Sequence, residues 1–274
     1  MTTALVTDSS AQLPAALRDR YRVRVVPLTV VLDGQPYHEG VDLTTGDFYA
    51  RLRAGAEVST SAPSPGEVLA VYEDVAAGGA TEILSVHIGS NTSGTVNAVK
   101  VALGESSIPV EVVDTGTASF AVACCVWAAG DGLARGSALA EAADAARAAA
   151  SEVANVFIMR GLDLARRGGR LSAAVDDAAG LPVLALTGGE IRAVAQVHDV
   201  EAAMTAMTEY VRATAAGRRQ RVGVGDAVAP ELAAELEGAL RALPEVAELV
   251  RYEVGPSVGA HTGAGTVGAC FFPA

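Results

Sequence analysis

TEILSVHIGSNTSGTVNA, residues 81–98, is the stretch on which the fold turns. An Ile/Val-rich apolar run (83–88) stops at Gly89-Ser90, and a hydroxyl-dense loop follows through Asn91, Thr92, Ser93, Gly94 and Thr95. A helical pattern then covers 93–103. The order is strand, tight turn, helix N-terminus. The first N–H groups of a helix lack intrahelical acceptors, and the helix dipole adds partial positive charge, so such a turn is a ready anion site. Ser93 and Thr95 add hydroxyl donors. Ser and Thr also serve as plain helix caps, so the meaning of the loop depends on what the rest of the chain brings to it.

Outward from this stretch, strand-like and helix-like segments alternate. Strands are expected at 4–8, 23–32 and 110–114. Helices are expected at 48–53, from Ser64-Pro65-Gly66-Glu67 onward, and at 118–133 and 137–151. Ser64 reads as an N-cap, Pro65 as the first helical residue and Glu67 as the third, a capping-box order. This βαβ rhythm predicts a mainly parallel sheet covered by helices, with ligands gathering beyond the C-terminal strand ends, where Asp8, Gly89 and Asp114 fall. After Glu152 the rhythm changes. Strands are expected at 155–160, 183–186, 191–197, 222–225, 249–254 and 266–272, with helices at 200–215 and 230–243 and a short one ending in Gly168-Gly169. Thr187-Gly188-Gly189-Glu190 is a hairpin signal. The expected architecture is α/β in two domains: an N-terminal three-layer α/β/α domain with a mainly parallel sheet (1–152) and a C-terminal two-layer α/β domain with a mixed sheet (153–274).

The bulk properties narrow the partners. The 274 residues are 50% hydrophobic and 19% charged, enough to bury a substantial core. A formal net charge of −12 repels phosphate backbones and anionic membrane surfaces. Three Cys, two of them adjacent (Cys124-Cys125), have neither a disulfide framework nor metal-ligand spacing and read as small core residues. The N-terminus shows no signal-peptide pattern and no apolar stretch is long enough to span a bilayer, so a soluble cytoplasmic protein is expected.

Five polar islands stand in this apolar chain: Asp8-Ser9-Ser10; residues 59–64 (STSAPS); the Ser93-Gly94-Thr95 loop; Gly168-Gly169-Arg170; and residues 259–265 (GAHTGAG). Each alone has an ordinary structural use, as a strand end, a helix lead-in or a glycine C-cap. His261, flanked by glycines, reads as a loop residue. In this order the islands resemble the DegV family of fatty-acid-binding proteins over essentially the full length. Residues 60–64 and 90–95 are the most specific parts. The chain departs from the family pattern at Ala62, Thr115 and Leu181, where Gln, Ser and Lys are usual; these changes bear on ligand shape and partner contacts more than on the fold.

The resemblance implies a protein that holds one long-chain fatty acid between its domains. The carboxylate would meet Thr60 and Ser61 on one side and Ser93, Gly94 and Thr95 on the other. Arg170 and His261 would lie at the carboxylate end and serve phosphoryl transfer or docking of a separate ATP-dependent fatty acid kinase, which makes the acyl phosphate. The chain would then be a carrier subunit rather than an enzyme, with no cofactor, no metal, no nucleic-acid partner and only transient membrane contact. The physics of the residues agrees. A carboxylate among apolar groups needs several donors, and hydroxyls with amide N–H groups supply them without an ion pair. Two other readings compete. Ser93 as nucleophile with His261 as base would make an acyl-transfer or hydrolytic enzyme, although Thr92-Ser93-Gly94 lacks the Gly-x-Ser-x-Gly elbow. A self-contained phosphoryl-transfer enzyme would need a phosphate loop and magnesium ligands, for which the sequence offers no pattern.

Overall fold

The computed structural model describes residues 2–159, 162–167, 175 and 180–274. It divides into two units, Met1–Ser151 and Glu152–Ala274. In chain order the first holds β1 (Thr3–Asp8), α1 (Ala15–Tyr21), β2 (Arg24–Val26), β3 (Thr29–Leu32), β4 (Gln35–His38), α2 (Thr45–Arg53), β5 (Val58–Ser61) and α3 (Pro65–Ala77). It continues with β6 (Glu82–His87), α4 (Thr95–Ala102), β7 (Val110–Asp114), α5 (Phe120–Ala134) and α6 (Leu139–Glu152).

The main sheet of this unit has the order β2-β1-β6-β7 with every pair parallel. From β1 the chain goes to β2 on one side, and β6 later enters on the other, so the strand order reverses between β1 and β6. That reversal is the place where doubly wound sheets keep their ligand crevice. Right-handed crossovers send α1 to one face and α4 to the other; accordingly α1 packs with α5, and α3 with α4. With helices on both faces, β1 and β6 are buried along most of their length, as central parallel strands are. Helix α5 is buried nearly all round, and Gly130 lets it approach α1: a Cβ there would stand 2.5 Å from the Tyr21 ring.

The expected strand at 23–32 is two strands in different sheets. Pro27 lies between them, and without an N–H it cannot continue a ladder. β2 stays with the parallel sheet, whereas β3 centres a small antiparallel sheet of order β4-β3-β5. This sheet turns part of the second polar island into strand, pairing Val30 with Thr60 and Thr29 with Ser61. Local signals at α3 behave as the sequence predicts: Ser64 Oγ accepts from the Glu67 amide and the Glu67 carboxylate accepts from the Ser64 amide.

The second unit holds β8 (Ala154–Ile158), α7 (Leu162–Arg167), β9 (Leu181–Thr187), β10 (Glu190–Val197), α8 (Val200–Ala215), β11 (Gln220–Asp226), α9 (Pro230–Arg241), β12 (Val246–Glu253), α10 (Pro256–Thr262) and β13 (Val267–Pro273). Its sheet runs β10-β9-β8-β13-β11-β12, antiparallel except for the β11–β12 pair. Met204, Met207 and Val211 of α8 and Leu236 and Leu240 of α9 share one core with Val156, Val222, Val224 and Phe271. Gly188 and Gly189 have φ of 61° and 85° and form the tight turn between β9 and β10. Leu181 packs against the α8–α9 core, so an apolar residue at this family-variable position has a structural use.

Candidate functional site

The C-terminal ends of β1, β6 and β7 bring three loops together. After β7, the loop 115–119 lies against the loop after β6: the Gly89 amide donates to the Thr117 carbonyl (2.8 Å) and the Asn91 side-chain amide to the Gly116 carbonyl (3.3 Å). Gly89 is required by this approach, since a Cβ would stand 2.6 Å from Gly116 backbone. The Ser90 amide donates to Asp114 Oδ1 (3.0 Å). Desolvation pushes the Asp114 carboxyl up, but the Ser90 hydroxyl and amide, the Gly116 amide and Lys100 outweigh it and hold its pKa below the ordinary carboxylate value. Thr115 donates its hydroxyl to the His87 carbonyl (2.8 Å) and its amide to the same oxygen (3.2 Å), which explains how Thr serves where the family usually has Ser.

At the start of α4 the sequence expectation is modified. The N-cap is Gly94, with no side-chain cap bond. Ser93 Oγ and Thr95 Oγ1 are 2.8 Å apart, and Ser93 Oγ also accepts from the Thr95 amide (3.3 Å). These hydroxyls therefore pair with each other and leave the next turn uncapped. Neither the Gly94 nor the Val96 amide N–H has a protein acceptor among the described residues. Thr95 is buried, Ser93 is half-buried and Gly94 is exposed.

The loop after β5 meets this turn: a Cβ on Gly94 would stand 3.6 Å from that of Ala62. Thr60 and Ser61 are successive residues of β5, so their side chains leave the sheet on opposite faces, Thr60 half-buried and Ser61 exposed. The α3 N-terminus is tied to the β3–β4 hairpin through His38, whose Nε2 lies 2.7 Å from Glu67 Oε1 and whose Nδ1 lies 3.4 Å from Asp42 Oδ2. The Glu67 contact raises the His38 pKa, partly opposed by desolvation and helped by Asp42.

His261 is in the second unit and stands on α10, a correction to its reading as a loop residue. Pro256 at the first turn and Gly263 at the end (φ 74°) mark that helix, a local signal hidden by the surrounding glycines. Arg170, with Gly168 and Gly169, lies outside the described residues. Among the described residues no group of His, Cys, Asp and Glu is placed to hold a metal ion, and no helix is long and apolar enough to cross a membrane. Cys124, Cys125 and Cys270 are buried and in no disulfide among the described residues, and burial pushes the Cys125 thiol up to about 12.

A buried polar chain was not anticipated from the sequence. The β1–β6 register pairs Thr7 with Val86, which sets Asp8 beside His87. Asp8 Oδ2 lies 2.9 Å from His87 Nδ1, His87 Nε2 lies 2.7 Å from Ser85 Oγ, and Ser85 Oγ lies 2.8 Å from the Tyr72 hydroxyl. All four side chains are fully buried. One signal pointed to them: polar residues at 85 and 87 inside an apolar strand.

The chain as a whole has close relatives. The family model described as "Uncharacterised protein, DegV family" matches residues 2–274. A DegV domain-containing protein of Streptomyces coelicolor is 37% identical over 270 residues, covering 97% of this chain and 96% of its own. The structure of a Thermus thermophilus DegV family protein, described for its fatty acid binding, superposes with a TM-score of 0.90 at 32% identity over the full length of both chains. That of DegV from Bacillus subtilis, described as a fatty acid binding protein, superposes with a TM-score of 0.89 at 26% identity, again over both full lengths. With a parallel sheet whose strand ends carry the hydroxyl loops, a mixed sheet after it, and relatives matched from end to end, this chain belongs to the DegV family.

Proposed function

We propose that this chain binds one long-chain fatty acid, holds its carboxylate with the Ser93-Gly94-Thr95 turn and Thr60, and presents it to a separate ATP-dependent kinase for acyl phosphate formation. The observation that carries the reading is the α4 N-terminus. Two paired hydroxyls and the Gly94 and Val96 amides form a neutral donor set, and among the described residues no guanidinium or ammonium is bonded to Ser93 or Thr95. Neutral donors satisfy a carboxylate while leaving its oxygens able to attack a phosphoryl group, which a tight ion pair would oppose. Fatty acid binding by the Thermus thermophilus relative supports the ligand class. An acyl tail would supply most of the affinity, at about 0.8 kcal/mol per buried CH₂.

In this reading Arg170 and His261 serve phosphoryl transfer or docking of the kinase, and Ser61, on the other face of β5 from Thr60, contributes through its backbone or through the partner. Native and denaturing mass spectra of the purified protein test the ligand: they differ by the mass of a fatty acid if the reading is right. Protein that stays empty after incubation with palmitate sinks it. Arg170→Ala should keep the lipid and lose kinase-dependent phosphorylation. Labelling of Ser93 by a fluorophosphonate would favour acyl transfer instead.

A further inference from the structure

The buried chain under the hydroxyl loops has one self-consistent arrangement of protons. Among the described residues the Tyr72 hydroxyl meets only Ser85, so its proton goes there. Burial pushes Tyr72 up to about 12, against the Ser85 bond, which lowers it, and keeps that proton in place. The Ser85 proton then has one acceptor left, His87 Nε2 at 2.7 Å. The ring proton therefore sits on Nδ1 and is donated to Asp8 Oδ2 at 2.9 Å. The opposite polarity would leave the Tyr72 proton buried without an acceptor. Asp8 is thus a carboxylate accepting four donors: His87 Nδ1–H, the Ile88 amide (3.0 Å), the Ser10 amide (3.1 Å) and the Ser10 hydroxyl (2.5 Å).

Those donors are the inward-facing groups of the two loops that flank the strand-order reversal. The Ile88 amide is held by Asp8, and the carbonyl of the following residue, Gly89, accepts from the Thr92 amide (2.9 Å) and the Ser93 amide (3.0 Å). On the other side the His87 carbonyl is clasped by Thr115. Ser93 is therefore linked to Asp8 through two hydrogen bonds and the Ile88-Gly89 backbone between them. We propose that Asp8 is the positioning residue of the carboxylate loop, held by a neutral, Nδ1-protonated His87, so that the loop's inward donors are all consumed and its outward ones remain for the ligand. The proposal rests on the fatty-acid reading for its purpose but not for its measurement.

The test uses the full-length, ¹⁵N-labelled protein without ligand. Imidazole nitrogen shifts should show Nδ1 protonated and Nε2 as acceptor; an Nε2–H or doubly protonated ring overturns the assignment. Asp8→Asn offers fewer acceptor sites to the four donors, so amide exchange at Ile88 and Ser93 should rise at least tenfold while Val224 and Leu236 of the second unit stay as in the wild type. Exchange at Ser93 within twofold of wild type overturns the positioning role. Where Asp8→Asn does not fold, His87→Asn and His87→Leu decide. Asn can still donate to Asp8 and should keep Ser93 protection within threefold, whereas Leu should lose it tenfold, and equal effects overturn the proposal. Palmitate affinity should fall tenfold or more with Asp8→Asn. If wild-type protein takes up no palmitate while the exchange results hold, the positioning role stands and only the ligand reading fails.

Discussion

Two of the aspartates that end strands, Asp8 in the first unit and Asp226 in the second, have contrasting surroundings. Asp8 closes β1 in the parallel sheet and is satisfied by neutral donors only, fully buried. Asp226 closes β11 in the mixed sheet and accepts from the Ala229 amide (2.9 Å) and the Arg251 guanidinium (2.9 Å). Arg251 also meets Glu237, which Arg241 bonds in turn, at a partly exposed rim. A parallel sheet sends successive loops to the same end, where the loops after β1, β6 and β7 exchange hydrogen bonds around the buried Asp8. At the end of β11 Asp226 is also largely buried, but the Arg251 guanidinium that reaches it is 33% exposed, so this pair keeps contact with solvent. The first arrangement builds a rigid platform for a binding loop; the second is an ion-pair network that ties α9 to β12.

Breaking each aspartate in turn should expose that difference. Asp8→Ala leaves four buried donors without an acceptor and should destabilise the first unit by about 3–5 kcal/mol, read from urea unfolding. Ser93→Ala or Thr60→Ala should leave unfolding nearly unchanged yet weaken fatty-acid binding by about 1–3 kcal/mol in a displacement titration. Thr115→Val, which removes the hydroxyl from the His87 carbonyl, should cost about 1–2 kcal/mol of stability. Asp226→Asn should cost about 1 kcal/mol and become smaller in high salt, because its ion pairs are partly solvated. If Asp226→Asn proved as damaging as Asp8→Ala, the contrast between platform and rim would be wrong.

The smallest effect is a pH dependence at the His38–Glu67 tie. Glu67 is held below its ordinary pKa chiefly by the Ser64 hydroxyl and amide, so its contribution is present above the unfolded carboxyl value and is lost as pH falls through the lowered one. His38 is raised, so its contribution is present below the unfolded imidazole value and is lost as pH rises through the raised one. Stability of the first unit should therefore be greatest between those limits. His38→Gln should flatten the alkaline side, by no more than about 0.5 kcal/mol for so exposed a pair. An unchanged alkaline limb in that variant would show that the tie contributes nothing.

Much of the fold is legible locally. The run Val110–Asp114, the helix Val200–Ala215 behind its Asp199 N-cap, the Ser64-Pro65-Glu67 helix start and the Gly188-Gly189 turn all stand where residue patterns put them. Each depends on groups within a few residues of one another, so nearby sequence contains the cause. Where the reading fell short, a distant partner decided. Val58–Ser61 has too little apolar alternation to declare a strand, and it is one because β3 pairs with it from 26 or more positions away. The helix at Ala15–Tyr21 starts from Pro14 with no side-chain cap and gives little local signal.

For the candidate site the division has the same cause. Residue types and order alone determined the parallel α/β class, the hydroxyl-rich turn after β6 and the family pattern, because strand–turn–helix chemistry is written in contiguous residues. Only the tertiary structure decided that Ser93 and Thr95 pair with each other, that Ala62 lies against Gly94, and that Asp8 receives His87. Asp8 and His87 are separated by 79 positions, and a register shifted by one residue would turn His87 to the other face of the sheet. That register follows from how β1 and β6 bury their apolar faces between helices, a property of the packed unit and of no single segment.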